Sequence, residues 1–281
     1  MSETCTLHLS FDRGHAGATV VRVKQQEPPW RVIRAFQALS GEALVHVHNI
    51  SGGILDSDSL CWRIEVKPGA RAQVTTTGAT RVYRSRSAQH TSRQRAEISV
   101  EDGAYLEYLP DQLIPFAGSR LEQTTSIDLR AHASLIWWER IAPGREASGE
   151  AFAYESLVSR LQVTVSGKPI AIEQWTLAPH ERPLDSLARL GPFRHFGSCY
   201  VCRAGESDSY WRSFESDLQE VADQLSTPDM LWGVSCLRAH GLAIRGVATN
   251  GRVLATSWLE MWKAAKLRLC GRVGVIPRKV H

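Results

Sequence analysis

The sequence predicts a mainly β fold of stacked antiparallel β-hairpin layers, β-helix-like or arranged as layered sheets, followed by two C-terminal α-helices. Apolar residues alternate at period two through the first half of the chain, and they recur at three- and four-residue steps only in its last third. We expect one domain over residues 1–281. Its parts are a β-rich region (5–177), an irregular excursion (178–208) that is a candidate partner-binding loop, and a helix-strand-strand-helix region (209–278).

Three similar strand-turn-strand units account for the period-two pattern. Their apolar faces are Leu60, Trp62, Ile64, Val66 with Ala70, Ala72, Val74; Ala96, Ile98, Val100 with Ala104, Leu106, Tyr108; and Thr125, Ile127, Leu129 with Ala133, Leu135, Trp137. Alignment of Ala70, Ala104 and Ala133 gives spacings of 34 and 29 residues, as in a repeated supersecondary unit. One hairpin cannot bury both of its faces, so we expect successive units to stack.

Stacking would bring the loops that follow each second strand to one end of the fold. These loops are 75–80, 110–112 and 139–145. We therefore expect a shared polar site that includes Thr76, Asp111, Glu139, Arg145 and Glu150.

The C-terminal third carries the helix signals. Trp211, Phe214, Leu218, Val221 and Leu225 share one helical stripe, as do Leu254, Trp258, Met261, Trp262, Ala265 and Leu269. The first helix is predicted to end before Ser226, and the second to run from Val253 to Leu269 and stop at Gly271. Two short strands, 231–238 and 242–249, are predicted between them.

Composition limits the class of protein. The 281 residues are 43% hydrophobic and 22% charged, which is ordinary for a globular protein, and a well-mixed net charge of +4 argues against a nucleic-acid partner. No apolar run is long enough to cross a bilayer, and the N-terminus lacks a secretory signal pattern, so we expect a cytoplasmic protein with no membrane partner. Six scattered cysteines are then expected to be thiols rather than disulfides.

Candidate metal ligands are few. His46 and His48 alternate on a predicted strand and share a face, but two ligands do not make a site, and ordinary polar or partly buried histidines are favoured. Cys199 and Cys202 form a lone CxxC, which a four-ligand zinc site cannot use alone, so two thiols in a loop are favoured.

Several polar positions have a structural interpretation beside a functional one. Gly52 and Gly53 are compatible with a turn or bulge before a strand, and Asp56 with a turn cap beside a solvated Asp58. A salt bridge that supports a loop is the commoner role for a pair such as Arg145 and Glu150, and partner contact is the sharper hypothesis.

Hydrolase and nucleotide-binding motifs are absent from the sequence: there is no GxSxG elbow, no GxxxxGK loop, no HExxH and no glycine-rich dinucleotide turn. One enzymatic alternative is a β-repeat carbohydrate-active enzyme that uses Asp58, Glu107 and Glu150 as paired acid and base. A binding module of the same fold without a metal role is the other alternative.

A set of short motifs, in order along nearly the whole chain, resembles the urease accessory protein UreD family, called UreH in some organisms. They are Gly52-Gly53 with Asp58, Pro68-Gly69-Ala70, Thr75 to Thr80, Tyr83-Arg84-Ser85, Glu107 with Leu109-Pro110, Phe116, Gly144-Arg145 with Ser148-Gly149-Glu150, Gly241 to Arg245, and Pro277-Arg278. The chain departs from the family pattern at Asp56-Ser57-Asp58, where a second glycine pair is replaced and a second carboxylate is added.

The resemblance implies a non-enzymatic scaffold that helps deliver nickel to apo-urease, with nickel in transit and no tightly bound cofactor. It implies three partners: apo-urease, a helical accessory protein (UreF) and a GTPase (UreG), in a complex in which this chain could be dimeric. The implied nickel-path candidates are Gly52, Gly53, Asp56, Asp58, Thr75, Thr76, Tyr83, Arg84, Glu107, Arg145 and Glu150, with Asp58, His46 and His48 as weak metal ligands. Carboxylates and hydroxyls suit this role because hard oxygen donors hold a borderline ion loosely.

Overall fold

The computed structural model describes residues 5–15, 17–38 and 41–274. Their elements, in chain order, are β1 (Leu7–Arg13), β2 (Thr19–Gln26), β3 (Trp30–Arg31), β4 (Ala35–Gln37), β5 (Ala43–Asn49), β6 (Ser59–Val66), β7 (Arg71–Thr76), β8 (Thr80–Val82), β9 (Ser92–Val100), β10 (Tyr105–Tyr108), β11 (Leu113–Pro115), β12 (Arg120–Leu129), β13 (Ser134–Ile141), a 3₁₀ helix (Glu146–Ser148), β14 (Ser156–Val165), β15 (Lys168–Leu177), β16 (His195–Arg203), α1 (Asp208–Leu225), β17 (Met230–Cys236), β18 (Gly241–Ala248) and α2 (Gly251–Cys270).

The strands form two sheets that lie face to face. The seven-stranded sheet has the order β15-β14-β12-β9-β6-β1-β2. The eleven-stranded sheet has the order β17-β18-β16-β13-β10-β7-β5-β3, with β4, β8 and β11 attached at its side. The mainly β class with two C-terminal helices is therefore confirmed.

Pairing within the repeats differs from the prediction of antiparallel hairpins. In each unit the first strand joins the seven-stranded sheet and the second joins the eleven-stranded sheet, so the two strands do not pair with each other. Each strand pairs instead with its counterpart in the next unit, and these pairings are parallel. Folding the strands face to face buries the apolar side of both within one unit, whereas a flat hairpin would leave its apolar face uncovered.

The register confirms the repeat. Ala70, Ala104 and Ala133 stand directly before β7, β10 and β13, whose pairing follows the predicted spacings of 34 and 29 residues. All three alanines are almost fully buried. The turns before them contain Gly69 and Gly103 at φ 65° and 63°, a left-handed conformation that glycine adopts without strain. Small side chains therefore occupy the buried position that follows each of these tight turns.

The main core fills the space between the sheets. Its buried members alternate along successive strands and include Leu60, Trp62, Ile64, Val66, Ala72, Val74, Ala96, Ile98, Val100, Leu106, Tyr108, Ile127, Leu129, Leu135, Trp137, Leu157, Leu161 and Val163. This agrees with the alternation read from the sequence.

A second core lies on the outer face of the eleven-stranded sheet, under the two helices. Helices α1 and α2 bury Trp211, Phe214, Leu218, Trp258, Met261 and Trp262 against Ile136, Trp138 and Val201. Both helices match the predicted ones, and Gly271 ends α2 as expected. Strands β17 and β18 also match the two predicted strands to within two residues.

Among the family motifs, Pro277-Arg278 lies outside the described residues.

Between the eleven-stranded sheet and α2 lies an ion network whose centre is fully buried. Lys266 has no exposed surface, and its Nζ lies 3.1 Å from Glu107 Oε2 and 3.4 Å from Glu42 Oε2. Tyr105 donates to Glu107 Oε1 at 2.6 Å, and Arg71 donates to Glu42 Oε1 at 3.0 Å. Burial raises the pKa of Glu107, while Lys266 opposes that rise. Two acidic and two basic side chains thus balance, and they attach α2 to the sheet.

The prediction that residues 178–208 form an irregular segment is partly wrong, because β16 occupies its second half. This strand pairs with both β13 and β18, so it is central rather than a loop. Cys199 and Cys202 therefore lie on a strand, not in a loop, and belong to opposite cores. They are thiols, as predicted, but their odd spacing points them to opposite faces of the sheet.

The expectation that all six cysteines are thiols is wrong for one pair. Cys5 and Cys61 form a disulfide, with Cα atoms 4.5 Å apart. The parallel pairing of β1 with β6 brings together two cysteines that are 56 residues apart, which their scattered spacing could not indicate. No helix within the described ranges is long and apolar enough to span a membrane.

Replacing Lys266 by Met should lower the free energy of unfolding by about 3–5 kcal/mol, because two buried carboxylates would lose their shared cation. Lys263→Met is the matched control, since Lys263 pairs with Glu260 on the exposed face of the same helix and should cost less than about 1 kcal/mol. Urea denaturation at neutral pH measures both. Equal small losses would contradict the role assigned to the buried network.

Candidate functional site

A polar cavity of about 50 Å³ lies between the two sheets. It sits where the strands of the eleven-stranded sheet end and those of the seven-stranded sheet begin, so it is at the end of the stack opposite the alanine turns. Its walls combine aromatic with polar side chains: Trp62, Thr76, Thr80, Gln94, Ala96, Tyr108, Pro110, Asp111, Leu113, Gln123, Thr124, Thr125, Trp137, Trp138, Glu139 and Arg140. The large aromatic rings at this end contrast with the small alanines at the other end of the stack.

One wall of the cavity is a hydroxyl–carboxylate pair at the ends of β7 and β10. The backbone N–H of Asp111 donates to Thr76 Oγ1 at 2.9 Å, and this oxygen lies 3.4 Å from Asp111 Oδ2. Arg140 stands 3.8 Å from the other oxygen of Asp111. Thr76 thereby positions the carboxylate, and Arg140 partly neutralises its charge.

The second carboxyl group of the cavity, Glu139, lies on β13, which pairs with β10 in the same sheet. Gln123 donates a short hydrogen bond to Oε1, and the Ser159 hydroxyl lies 3.4 Å from Oε2. Burial, with a smaller contribution from the nearby charge of Glu173, raises the pKa of Glu139 to about 7. Glu139 therefore exchanges a proton near neutral pH, where an ordinary glutamate is fully ionised.

Polar groups continue from Glu139 towards the surface of the molecule. Glu173 on β15 accepts hydrogen bonds from Arg245 at 2.8 Å and from Ser198 at 3.3 Å. The Arg245 side chain is 56% exposed, whereas that of Glu173 is 14% exposed. A row of carboxylates with hydroxyl and amide neighbours thus leads from the cavity to solvent.

The cavity offers oxygen ligands. Among its lining residues in the described part of the chain there is neither histidine nor cysteine. Carboxylate, hydroxyl and amide oxygens suit hard or borderline divalent cations and bind them less firmly than thiolates or imidazoles. The lining thus contains the ligand types that such cations use.

A second cluster joins the glycine pair to the segment around Tyr83. Ile54 N–H donates to the Arg81 carbonyl at 2.7 Å, and Tyr83 N–H donates to the Ile54 carbonyl at 2.9 Å. A Cβ atom on Gly53 would lie 2.4 Å from the Arg81 carbonyl oxygen and 2.8 Å from the Tyr83 ring. Glycine at this position is thus explained by close backbone approach, which favours the structural interpretation.

From Tyr83 the cluster continues across the surface to the 3₁₀ helix. The Tyr83 and Phe116 rings meet edge to face at 5.0 Å, and the Arg145 guanidinium lies 4.4 Å above Phe116. Arg145 also forms an ion pair with Glu150, whose Oε2 accepts from Ala117 N–H at 3.1 Å. We call Tyr83, Phe116, Arg145 and Glu150 the surface ladder. Arg84, which is exposed, packs over Gly118 beside it.

The predicted shared polar site therefore divides into two. Thr76, Asp111 and Glu139 do line one cavity, as expected from stacking. Arg145 and Glu150 do not line it. They belong to the surface ladder, in which the Arg145 guanidinium packs over the Phe116 ring.

The aspartate loop has a structure unlike the one expected. Asp58 Oδ2 accepts from Leu55 N–H at 2.8 Å, so Asp58 rather than Asp56 caps the turn. Asp56 Oδ2 lies 2.9 Å from His90 Nδ1. Neither aspartate is among the residues that line the cavity.

Two other candidates lie outside the cavity, because side chains alternate between the two faces of a strand. Thr75 and Glu107 point to the helix side of the eleven-stranded sheet: Thr75 donates to the Leu109 carbonyl at 2.7 Å, and Glu107 lies in the buried ion network. Because Glu107 has no exposed surface, it cannot reach a substrate, which counts against the carbohydrate-active alternative with Asp58, Glu107 and Glu150.

The histidine pair is not among the residues that line the cavity. His46 and His48 lie on β5, and His46 packs against Phe36 at 5.8 Å between ring centroids. In the part of the chain that the structure describes, no group of three metal-ligating side chains includes either histidine.

Sequence reasoning missed the partners of Glu139. Gln94, Gln123 and Ser159 occupy one register row across the parallel strands β9, β12 and β14. The spacing from Gln94 to Gln123 equals the 29-residue step between two of the aligned alanines. Extending the repeat alignment from the apolar to the polar positions would have found this row.

Comparison with known proteins gives a consistent result. The family model described as UreD urease accessory protein matches residues 3–280. A urease accessory protein UreD from Herpetosiphon aurantiacus is 39% identical over 94% of this chain and 92% of its own length. The UreD proteins of Dechloromonas aromatica and Opitutus terrae are 34% and 30% identical, over 97% and 98% of this chain and 92% and 98% of their own lengths.

Gly53→Ala should destabilise the fold by about 1–3 kcal/mol, because the new Cβ would overlap the Arg81 carbonyl and the Tyr83 ring. Gly78→Ala is the control, since a Cβ there meets nothing within 4 Å. Chemical denaturation measures both variants. A Gly53→Ala protein as stable as Gly78→Ala would show that close packing does not explain this glycine.

Proposed function

This chain is a member of the UreD family of urease accessory proteins, and from that premise we propose that it is a non-enzymatic scaffold for urease maturation that passes nickel towards apo-urease. The observation that carries the proposal is the polar cavity between the sheets, which both Asp111 and Glu139 line. Nickel is cargo in this scheme, so the ligands need to bind it weakly and release it. The proposed site of action is the cytoplasm.

The path of the ion follows from the polar groups. A hydrated divalent cation entering near Thr76 and Asp111 would next meet Glu139, and then Glu173 near the surface. Each carboxylate is already held by donors such as Gln123, Ser159 and Arg245, so the side chains are oriented before the ion arrives. A series of similar, modest sites allows transfer without a deep energy minimum.

The remaining family candidates support the path rather than form it. The glycine pair and the surface ladder fix the loops that close the stack near the cavity, and Asp58 caps the turn before β6. We propose that Arg145, which is exposed, and its half-buried partner Glu150 contact a protein partner instead of the ion.

The partners that we propose are apo-urease, the helical accessory protein UreF and the GTPase UreG. The described residues offer a groove of about 350 Å³ between α1 and α2 that suits a helical partner. Leu267 and Val273 in this groove are 52% and 67% exposed, and Glu260 and Lys263 lie at its edge. A third helix laid in this groove would bury its apolar floor and meet a charged rim.

Glu139→Gln should weaken Ni²⁺ binding by about tenfold and reduce urease activation in reconstituted cells, since an amide replaces the central anionic ligand. In the unchanged protein, Ni²⁺ affinity should fall as the pH drops through about 7, because protons then compete for Glu139. The variant should lose that pH dependence. Equilibrium dialysis with Ni²⁺ from pH 6 to 8 measures both effects.

The same substitution has a distinct effect on stability. The pKa of Glu139 is raised on folding, so its ionisation destabilises the native state as pH rises from the unfolded value towards about 7. Glu139→Gln should therefore remain folded at pH 8. Loss of activation in an unfolded variant would not count for the proposal, whereas full nickel binding and full activation in a folded one would contradict it.

Leu267→Glu should weaken binding of the helical accessory protein by about tenfold or more, because a charge would enter the apolar groove. Ile172→Glu is the matched control, since Ile172 is 72% exposed on β15 in the other sheet. A pull-down with purified accessory protein, followed by a binding titration, separates the two. Equal affinity of both variants would place that partner elsewhere.

A further inference from the structure

The disulfide lies beside a carboxylate, on the outer face of the seven-stranded sheet. In the described ranges of the chain, Cys5, Cys61 and Glu97 are the one set of three metal-ligating side chains whose ligand atoms lie within 4.8 Å of one another. Both cysteines are buried, at 4% and 6% exposure, and the Glu97 side chain is 34% exposed. The group is therefore pre-assembled and reachable from one side.

This group is separate from the interior cavity although the same two strands carry both. On β6 and β9, Trp62 and Ala96 point inwards and line the cavity or its core, whereas Cys61 and Glu97 point outwards. The pleat thus places the two sites on opposite sides of one sheet.

We propose that the reduced form of Cys5 and Cys61, together with Glu97, binds one thiophilic divalent cation, and that disulfide formation abolishes this site. Two thiolates and a carboxylate are the ligand types chosen by Zn²⁺, Co²⁺ and related borderline ions. Three protein ligands leave a fourth position open for water or an exchanging ligand.

The chemistry balances with a thiol reductant. Two electrons and two protons from a dithiol convert the Cys5–Cys61 disulfide into two thiols, and the reductant becomes a disulfide. The cation then displaces the two thiol protons as it binds. Two sulfurs bound to one tetrahedral ion at ~2.3 Å lie about 3.8 Å apart, a separation that side-chain rotation allows once the S–S bond is broken.

Neighbouring side chains prepare the third ligand. Arg63 Nη2 holds Glu97 Oε2 at 2.7 Å, and Arg95 Nη2 lies 3.3 Å from Oε1 and 3.9 Å from Cys61 Sγ. The guanidinium of Arg95 stabilises negative charge on both the sulfur and the carboxylate. Its side chain is 39% exposed, so it can turn to solvent when a cation replaces it.

The backbone around the sulfurs is also fixed. Thr6 Oγ1 accepts from Cys61 N–H at 3.2 Å and donates to the Cys61 carbonyl at 3.0 Å. The segment before β1 is thus held against β6 by hydrogen bonds as well as by the disulfide. Reduction should leave the two thiols close together.

Cobalt titration of the full chain tests the proposal. Protein reduced with a dithiol and freed of it without oxygen should bind one equivalent of Co²⁺ with thiolate-to-metal charge-transfer absorption. Cys5→Ser and Cys61→Ser should each lose that absorption and at least about tenfold in affinity, and Glu97→Gln should bind about tenfold more weakly with the absorption retained. Disulfide-intact protein should lack the absorption, which provides a test that requires no substitution.

Two controls separate this site from others. Cys236→Ser removes a partly buried thiol that also lies beside a carboxylate, Glu215, at 3.3 Å, and it should leave the absorption unchanged. Glu139→Gln should also leave it unchanged, so failure of the nickel path and failure of this site are distinguishable. Absence of thiolate absorption in the reduced protein, its survival in Cys61→Ser, or its loss in Cys236→Ser would overturn the proposal.

Discussion

The parallel, in-register stacking of strand-turn-strand units is the constraint on which the rest of the structure depends. It forces the two strands of each unit into opposite sheets, and it makes every position of the repeat a row that runs through the fold. Small buried alanines form the row at the tight turns. At the other end Trp62, Tyr108 and Trp137 line the cavity together with polar residues.

The cavity acquires its chemistry from the same geometry. Glu139 lies inside because it follows Trp137 by two residues on β13, and its neighbours Gln123 and Ser159 occupy one row on adjacent strands. Burial disfavours the carboxylate, and the nearby Glu173 disfavours it further, so in the proposed path a proton and a divalent cation would compete for Glu139 near neutral pH. A site that is easily vacated suits transfer better than storage.

The sequence predicted what depends on local pattern and missed what depends on which strands meet. Periodicity predicted the class, both helices and the repeat, and the repeat predicted that Thr76, Asp111 and Glu139 converge. Alternation alone could not separate an antiparallel hairpin from two strands in facing sheets, because the apolar pattern of each strand is the same in both.

The other missed features involve contacts distant in sequence. The Cys5–Cys61 disulfide and the placement of Glu107 against Lys266 join residues 56 and 159 positions apart, which no local pattern indicates. Strand β16 was not predicted, because its central sequence has glycine and cysteine among its apolar residues. In the structure it pairs with β13 on one side and β18 on the other. The family motifs likewise identified Gly53 and Glu107 as candidates, but they do not indicate whether a residue packs the fold or binds the ion. The contacts of both residues in the structure assign them to packing.

Anomalous diffraction from crystals equilibrated with Ni²⁺, recorded at the nickel absorption edge, tests the central claim most directly. A cation path through the stack predicts an anomalous peak between the sheets, within bonding distance of oxygens of Glu139 or Asp111 and absent from crystals grown at a pH that protonates Glu139. Nickel bound only at surface histidines, with the interior free of anomalous density at saturating metal and pH 8, would contradict it.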